Sequence, residues 1–393
     1  MIIFIESNTS GTGEYFYQLC KKKKIDFKFI VKSPHKYKWL KKPNFELSNT
    51  DDIQQLETKI NEINKKKRIK FILSTSDQFV IMANELNKRF NIKCEDSDLL
   101  KTFKNKFECS KIMKKLNIFK RKSFVMKNDK DKIPKITFPC IIKPNSGTGS
   151  INVYKIDNLK NLKVKIKFFF KKKIEFVVEE YIDGQEYSLE VLFLDKKIIF
   201  EQLIEKQIND KDHYVESGHI IHSKFSSKIL NIKKKILNKI KKFKMNKIFL
   251  HIEFKIDNND KVEIIEINPR LAGGFIPILV KETCGIDLIN YYIDLINQKI
   301  VQRIKKIKHK ETFKIFFLIP QKSKKIHNIT FSKKINRLVI QKKIYKDKVQ
   351  NFKKYTYNFS DRLGHVIFKS KNITELRLLE SLIKANIKYY YKR

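Results

Sequence analysis

Paired cysteines, long apolar runs and glycine are all scarce in this chain of 393 residues. Its five cysteines lie singly and form no CxxC pair, which argues against a disulfide framework or a zinc site and is typical of a reducing compartment. No apolar run approaches the roughly 18 residues that a membrane span needs, and the opening stretch MIIFI is too short for the apolar core of a signal peptide. We therefore expect a soluble, cytoplasmic protein.

The positive charge is large but dispersed. The chain has 86 Lys and Arg against 42 Asp and Glu, a formal net charge of +44, which by itself would suggest a nucleic-acid or anionic-membrane partner. The lysines, however, form short runs in every segment, Arg is far rarer, and Lys is enriched together with Asn, Ile, Phe and Tyr, which is the signature of AT-rich codons. Such runs are typical of a solvated surface. Nucleic-acid binding is thus an alternative supported by charge alone.

Alternating strand and helix patterns predict a doubly wound α/β domain with a parallel sheet over residues 1–95. MIIFIES, FKFIV and KFILSTSD are read as strands, the last ending at Asp77, and a glycine turn at 11–13 opens a helix. This GTG lacks the third glycine of a dinucleotide loop, so we interpret it as a tight turn. Apolar residues at helical spacing predict one amphipathic helix over 99–117 and another over 231–243.

The register of one hairpin can be derived from its sequence, and it brings two acids together. HIEFKIDNNDKVEIIEIN reads as two alternating strands around a two-residue turn at Asn259–Asp260. Glu253 then faces Glu266, and His251 faces Asn268. The predicted apolar pairs on the other face are Ile252 with Ile267 and Phe254 with Ile265. Opposed carboxylates repel unless a cation lies between them, and a few oxygen ligands suit Mg²⁺. A solvated acidic face is the alternative.

Two further stretches predict contacts with a nucleotide. Lys143 ends the strand PCIIK and precedes NSGTGS, whose small residues and exposed backbone N–H groups suit phosphates. The lysine comes before the glycines, so this is not the P-loop pattern, and a structural hairpin turn is the alternative. Farther on, Glu179 and Glu186 flank a turn at Gly184. The strand there could hold adenine through its backbone while an acid reaches the ribose.

Taken in order, Lys106 on a helix, PCIIKPNSGTGS, VVEEYIDGQEYS, HIEF and VEIIEINPRLAGG resemble the ATP-grasp superfamily of carboxylate–amine ligases. YVESGHI at 214–220 and NPRLAGGFIPILVKETCGIDLI are most similar to the L-amino-acid ligase type. The resemblance implies an α/β (α+β ATP-grasp) fold with a pre-ATP-grasp domain over 1–95. It further implies a two-lobed ATP-grasp domain over 96–299, with a mobile lid at about 118–185, and a small C-terminal α+β domain over 300–393. Asn105 stands where such families often have Asp.

The resemblance also implies a reaction. The enzyme would use ATP and Mg²⁺ (or Mn²⁺) to activate a small-molecule carboxylate, that of an amino acid, as an acyl phosphate, release ADP and join the acyl group to an amine. A bicarbonate-using carboxylase or carbamoyl-phosphate-type enzyme is the alternative, although the chain has neither an internal repeat nor a biotinyl motif. The absence of a GxSxG motif agrees with chemistry that needs no side-chain nucleophile. A homodimer is an expectation by analogy.

The resemblance assigns roles by position. Arg270 and Lys143 would act on the transferred phosphoryl group. The residues expected to hold ATP are Lys106, Lys143, Ser146, Gly147, Thr148, Gly149, Ser150, Glu179, Glu180, Tyr181, Ile182 and Glu186. The expected metal ligands are Glu253, Glu266 and Asn268. The expected substrate contacts, with Glu216 and His219 on the acceptor side, are Glu216, His219, Arg270, Gly273 and Gly274.

Overall fold

In the residues that it describes, the computed structural model combines helices with four sheets. It describes residues 1–8, 11–118, 121–147, 149, 151–209, 215–297, 304, 309–320, 324–352 and 361–391. Among the helices in these ranges, none is both long enough and apolar enough to cross a bilayer. The mixed helix-and-sheet architecture expected from the sequence is confirmed.

The N-terminal sheet is parallel, as predicted, with strand order β3-β2-β1-β4. Its strands are β1 (Ile2–Ile5), β2 (Phe27–Val31), β3 (Phe45–Leu47) and β4 (Phe71–Leu73), and its helices are α1 (Thr12–Lys22), α2 (Ile53–Lys66) and α3 (Val80–Arg89). The predicted extension of the last strand to Asp77 is wrong. β4 ends at Leu73, and the Ser74 hydroxyl then accepts a hydrogen bond from the Ser76 backbone N–H, which turns the chain. Asp77 therefore lies beyond the carboxyl end of the sheet, where parallel α/β sheets commonly place ligand contacts.

The single helix predicted over 99–117 is in fact two helices, α4 (Ser97–Lys104) and α5 (Lys106–Lys115). The break falls at Asn105, whose backbone is extended. Its side chain accepts a hydrogen bond from the Glu108 backbone N–H at 2.9 Å and so caps α5. Because the cap needs only a side-chain oxygen, the asparagine serves as well as an aspartate, and Lys106 begins the new helix.

A small antiparallel sheet with the order β5-β8-β6-β7 carries the glycine loop. Its strands are β5 (Ser123–Phe124), β6 (Cys140–Pro144), β7 (Tyr154–Ile156) and β8 (Phe176–Glu180), and α6 (Leu159–Lys171) packs on them. The predicted strand–loop–strand around NSGTGS is confirmed, since β6 pairs with β7. Thr148 and Ser150 lie outside the described residues.

The third sheet has eight strands in the order β13-β12-β9-β10-β11-β14-β17-β16. The strands of this sheet are β9 (Gln185–Leu194), β10 (Lys197–Asn209), β11 (Val215–Ile221), β12 (Lys247–Ile256), β13 (Val262–Asn268), β14 (Thr312–Phe317), β16 (Gln341–Ile344) and β17 (Gly364–Ser370). The other two strands, β15 (Ile326–Phe331) and β18 (Ile387–Tyr391), form the fourth sheet. The remaining helices are α7 (Ser227–Ile240), α8 (Ile276–Cys284), α9 (Leu288–Ile296), α10 (Lys346–Asn351) and α11 (Ile373–Ala385). β14 pairs with β11, so this sheet is continuous across residue 300. The division into three domains stays a prediction.

The hairpin of β12 and β13 has the predicted pairing of its acids. Glu253 lies opposite Glu266, and His251 lies opposite Asn268. The apolar pair Ile252–Ile267 is also confirmed. The two strands therefore present both acids on one face.

The turn and one of the apolar pairs differ from the prediction. The loop closes through a hydrogen bond from the Asp257 N–H to the Lys261 carbonyl, and Asp260 has a left-handed φ of 64°. This longer loop, a common hairpin form, shifts the register by one residue. A bulge at Ile265 then shifts it back, so that Phe254 lies opposite Ile264 rather than Ile265.

The bulge predicts unequal costs for two adjacent isoleucines. Ile264 is 2% exposed and packs in a core with residues of α4, α5 and α7, whereas Ile265 lines a cavity. We expect Ile264→Ala to lower the free energy of unfolding by about 2–5 kcal/mol and Ile265→Ala to lower it by about 1 kcal/mol or less. Urea unfolding followed by circular dichroism measures both. A larger loss at Ile265 would contradict the bulged register.

Candidate active site

A cavity of about 890 Å³ lies between the N-terminal sheet, the glycine-loop sheet and the eight-stranded sheet. A volume of this size is at the upper end of small-molecule sites. The predicted residues that line it are Lys106, Lys143, Gly147, Gly149, Tyr181, Ile182, Glu186, Glu216, Glu253, Glu266, Arg270, Gly273 and Gly274. The fold thus brings together residues from distant parts of the sequence.

The two opposed acids are each paired with a lysine from another element. Lys206 Nζ lies 2.6 Å from Glu253 Oε2, and Lys106 Nζ lies 3.2 Å from Glu266 Oε2. The side chains of Glu253 and Glu266 are only 16% and 17% exposed, so the acidic face is not a solvated one. Burial alone would raise the pKa of Glu266, but Lys106 and Lys104 outweigh it and lower that pKa. Both carboxylates therefore require a cation, which here is an ammonium group.

The donor set at this face fits Mg²⁺ only with help from a ligand. Within the described residues, no group of three or more His, Cys, Asp and Glu side chains could hold a metal ion by itself. Asn268 contributes an amide, which donates to Glu266 and accepts from Lys104 at 3.3 Å. Two carboxylates and an amide suit Mg²⁺, which commonly binds one or two protein carboxylates together with phosphate oxygens and water.

Arg270 is held by an acid that lies beyond the end of the N-terminal sheet and that was not predicted as a site residue. Its Nη2 donates to Asp77 Oδ2, and Lys104 Nζ lies 3.0 Å from the other oxygen of the same carboxylate. Burial would raise the pKa of Asp77, but Arg270 and Lys104 lower it. Arg270 Nε is buried and has no partner among the described residues, so the guanidinium retains an unused donor.

Lys143 shares a buried acid with an arginine that was also missed. Lys143 Nζ and Arg121 Nη2 lie 2.8 Å and 2.9 Å from Glu179 Oε2. Burial lowers the pKa of Lys143. The Glu179 side chain therefore pairs with two cations. The local sequence predicted Glu179 as a site residue, but it did not predict these pairings.

The predicted adenine hinge uses part of its backbone for bonds within the protein. The N–H groups of Glu180 and Tyr181 donate to the carbonyls of Lys122 and Pro139 at 3.1 Å each. The Glu180 carboxylate accepts from the Lys122 N–H at 2.9 Å, and neither it nor Glu179 lines the cavity. Tyr181 and Ile182 do line it.

The glycine loop approaches the metal face through Lys106. Lys106 Nζ donates to the Gly147 carbonyl at 3.0 Å while it contacts Glu266. Ser146, Gly147 and Gly149 are exposed, and Ser146 does not line the cavity. One lysine therefore links the loop to the acids in this structure.

Lys206 joins three of the predicted acids, although no motif marked it. Its buried Nζ lies 2.9 Å from Glu186, 2.8 Å from Glu216 and 2.6 Å from Glu253. Burial would lower the pKa of Lys206, but the three carboxylates raise it well above its usual value. The only sequence signal for Lys206 is its position on β10. It lies two residues after the fully buried Ile204 and so shares the inward face of the strand, where lysine is rarely found.

Two buried histidines have opposite electrostatic environments. His251 Nδ1 lies 2.7 Å from Glu190 Oε1, and its Nε2 lies 2.8 Å from Glu253 Oε1. Burial would lower the pKa of His251, but these two carboxylates raise it to about 10. Neither ring nitrogen of His219 makes a hydrogen bond within the described residues, although Nε2 lies 3.7 Å from Glu216 Oε2, and burial lowers the pKa of His219 to about 3. These shifts favour an imidazolium at His251, which contacts Glu253, and a neutral ring at His219.

The expected acceptor side combines β11 with the turn after β13. Glu216 Oε2 accepts from Arg362 Nη2 at 2.7 Å, an arginine that the sequence analysis did not single out. Gly274 has a left-handed φ of 60°, and a Cβ there would lie 2.8 Å from His219 Nε2. A side chain at this position would therefore clash with the His219 ring, and glycine avoids that clash.

Known proteins resemble this chain in sequence and in fold. Residues 136–278 match the ATP-grasp domain family. The D-alanine–D-alanine ligase of Phocaeicola vulgatus is 25% identical over 209 residues, which are 50% of this chain and 64% of that relative. The chain thus spans less than two thirds of the length of this relative.

Several solved structures align over the whole of this chain. The L-amino acid ligase from Bacillus licheniformis aligns with a TM-score of 0.81 and 15% identity, over 100% of this chain and 98% of that one. The biotin carboxylase domain of the 2-oxoglutarate carboxylase from Hydrogenobacter thermophilus, solved with MgADP, ADP and bicarbonate, aligns with a TM-score of 0.70 and 11% identity, over 100% and 91%. Identities this low show a common fold.

The opposite environments of His251 and His219 predict distinct NMR signals. At pH 7.5, ¹⁵N-labelled protein should show His251 as an imidazolium and His219 as a neutral ring, with His251→Gln and His219→Gln variants giving the assignments. A neutral His251 at this pH would contradict the pairing with Glu190 and Glu253.

The raised pKa of His251 also predicts how stability depends on pH. A folded pKa of about 10, above the ordinary 6.5, means that protonated His251 stabilises the fold fully below pH 6.5, and that this contribution is lost as the pH rises through about 10. The difference in unfolding free energy between wild type and His251→Gln should therefore shrink between pH 7 and pH 10 in urea titrations. A difference that grows over this range would be inconsistent with the assigned charge.

Proposed function

Residues 136–278 match the ATP-grasp domain family, and from this premise we propose that the chain is an ATP- and Mg²⁺-dependent ligase. It would activate the carboxylate of an amino acid as an acyl phosphate, release ADP, and join the acyl group to an amine. The observation that carries the proposal is the convergence of Lys106, Lys143 and Arg270 with the opposed acids Glu253 and Glu266 around one cavity.

The nucleotide is proposed to lie with its phosphates between the glycine loop and the metal face. Lys106 and Lys143 supply positive charge there, and both are now paired with acids that a phosphate would replace as their partners. Tyr181 and Ile182 would border the adenine, and Glu186 would reach the ribose. Mg²⁺, when bound by Glu253, Glu266 and Asn268, would neutralise phosphate charge as it develops in the reaction.

The proposed reaction has two steps. An oxygen of the substrate carboxylate attacks the γ-phosphorus, a new O–P bond forms, the bond to the bridging oxygen breaks, and ADP leaves. The amine then attacks the acyl carbon, the C–O bond to phosphate breaks, inorganic phosphate leaves, and the nitrogen loses a proton. Phosphoryl transfer asks the protein mainly for positioning and charge, which Arg270 and the two lysines supply.

A bicarbonate-using enzyme is the second candidate. Its support is the whole-chain likeness in fold to a biotin carboxylase domain solved with bicarbonate. It predicts that bicarbonate, rather than an amino acid, stimulates ADP formation. The acceptor side with Glu216 and His219 favours an amine substrate over bicarbonate, because a carboxylate can bind an ammonium group.

The proposal is tested by the products of ATP turnover. Purified protein with Mg²⁺, ATP and pooled amino acids should release ADP and phosphate in an amino-acid-dependent manner, and Glu266→Gln should lower kcat at least about 100-fold. The matched control is Glu282→Gln, an exposed acid on α8, which should leave the rate unchanged. AMP and pyrophosphate as products would rule out the acyl-phosphate mechanism.

A further inference from the structure

Arg121 and Lys143 lie between one buried acid and the cavity. Both cations line the cavity, whereas Glu179, whose side chain is 1% exposed, does not. Lys143 Nζ lies 2.8 Å from Glu179 Oε2, and Arg121 Nη2 lies 2.9 Å from the same oxygen. One negative charge thus has two positive partners, which leaves an excess of positive charge at the cavity wall.

Arg121 is attached to two different sheets. It precedes β5, in which Ser123 pairs with Glu179 of β8. Its Nη2 also donates to the Ile264 carbonyl of β13 at 3.4 Å. The arginine side chain is 6% exposed, and a guanidinium keeps its proton in proteins. Arg121 is therefore a permanent charge held between the glycine-loop sheet and β13.

Lys143 differs from Arg121 in how its charge is held. It ends the strand before the glycine loop, beside the proposed position of the ATP phosphates. An ammonium group on a flexible four-carbon stem can turn from one anion to another, whereas the guanidinium of Arg121 has the Ile264 carbonyl as a second anchor. When Lys143 exchanges Glu179 for a phosphate, the acid is left with Arg121.

The cost of this exchange depends on Arg121. A buried carboxylate that loses its only partner is strongly unfavourable, because its charge is then uncompensated. Burial would raise the pKa of Glu179, but Arg121 and Lys143 lower it. With Arg121 present, Glu179 keeps one of its two ion pairs after Lys143 leaves. Without Arg121 it would lose both.

A second acid of the site has the same arrangement. Asp77 Oδ2 accepts from Arg270, and Lys104 Nζ lies 3.0 Å from the other oxygen of Asp77. Arg270 lines the cavity, whereas Lys104 does not. At each of the two acids, one cation can therefore turn to a ligand while the other stays with the carboxylate.

We propose that Arg121 is a positioning residue that keeps Glu179 paired when Lys143 turns from this acid to the phosphates of ATP. Arg121 would act through Glu179 and not through contact with the nucleotide. It would strengthen ATP binding without taking part in bond formation. This inference rests on the proposed function, since it concerns binding of the same nucleotide.

The test is a double-mutant cycle on nucleotide affinity. Calorimetry with Mg²⁺ and a non-hydrolysable ATP analogue measures the Kd of each variant. Arg121→Met should raise the Kd by about 10–100-fold, because Lys143 can then leave Glu179 only by stranding a buried charge. In a Glu179→Gln background the same substitution should change the Kd by less than about threefold, because a neutral amide needs no cation.

Further variants separate charge from shape and from general damage. Arg121→Lys, which keeps the positive charge, should bind the analogue within about threefold of wild type. In turnover assays Arg121→Met should raise the KM for ATP more than it lowers kcat, because the interaction is lost from substrate and transition state alike. The control Arg377→Met, which removes an exposed arginine of α11, should change neither the Kd nor the KM.

Two results would overturn the inference. An unchanged Kd in Arg121→Met would mean that Glu179 does not need its second cation. A loss that persists in the Glu179→Gln background would mean that Arg121 contacts the nucleotide itself. Circular dichroism melts show whether each variant folds. If Arg121→Met alone does not fold, the comparison of Glu179→Gln with the double variant still decides between these roles.

The same measurements distinguish this inference from the ligase proposal. Nucleotide binding that follows the cycle, without amino-acid-dependent release of ADP, would reject the ligase reaction and retain the role of Arg121. Amino-acid-dependent release of ADP, with no coupling between Arg121 and Glu179, would reject the role of Arg121 alone. A wild type that binds no nucleotide would reject both.

Discussion

The opposition of Glu253 and Glu266 across β12 and β13 is the constraint on which the candidate site depends. Two partly buried carboxylates in this position are unfavourable unless cations accompany them. Lys206 and Lys106 supply those cations from β10 and from the first turn of α5. Each lysine has a second attachment, to Glu186 and Glu216 for Lys206 and to the glycine loop for Lys106. Charge balance around two acids thus connects the expected nucleotide, metal and acceptor regions.

Buried ion pairs of this kind contribute little net stability, because desolvation offsets most of the attraction between the charges. Removing one partner is far more costly, since it leaves an unpaired buried charge. Lys143 with Glu179, Arg270 with Asp77, and His251 with Glu190 follow the same pattern. We interpret these pairs as functional: each holds a cation at the cavity wall, where an anionic ligand can take the place of the acid.

The site draws on widely separated parts of the chain. The turn after β4 supplies Asp77 to Arg270, and the segment before β17 supplies Arg362 to Glu216. The continuity of the eight-stranded sheet explains the second contact, because β14 pairs with β11 and β17 pairs with β14. Phe317, at the end of β14, then supports the guanidinium of Arg362. A fold with parallel N-terminal strands and one long antiparallel sheet therefore determines what closes the cavity.

The sequence by itself determined the local features: the parallel N-terminal strands, the strand–loop–strand around NSGTGS, and the facing pairs Glu253–Glu266 and His251–Asn268, because alternation and turn residues encode these directly. The facing pairs came out right although the loop and the bulge at Ile265 were missed, since the two shifts cancel. Only the tertiary structure decided the partners of those residues, namely Asp77, Lys206, Arg121 and Arg362. Each is a single charged residue that contacts a site residue 47 to 193 positions away in the sequence. No local pattern of hydrophobicity or spacing predicts a contact over such a separation.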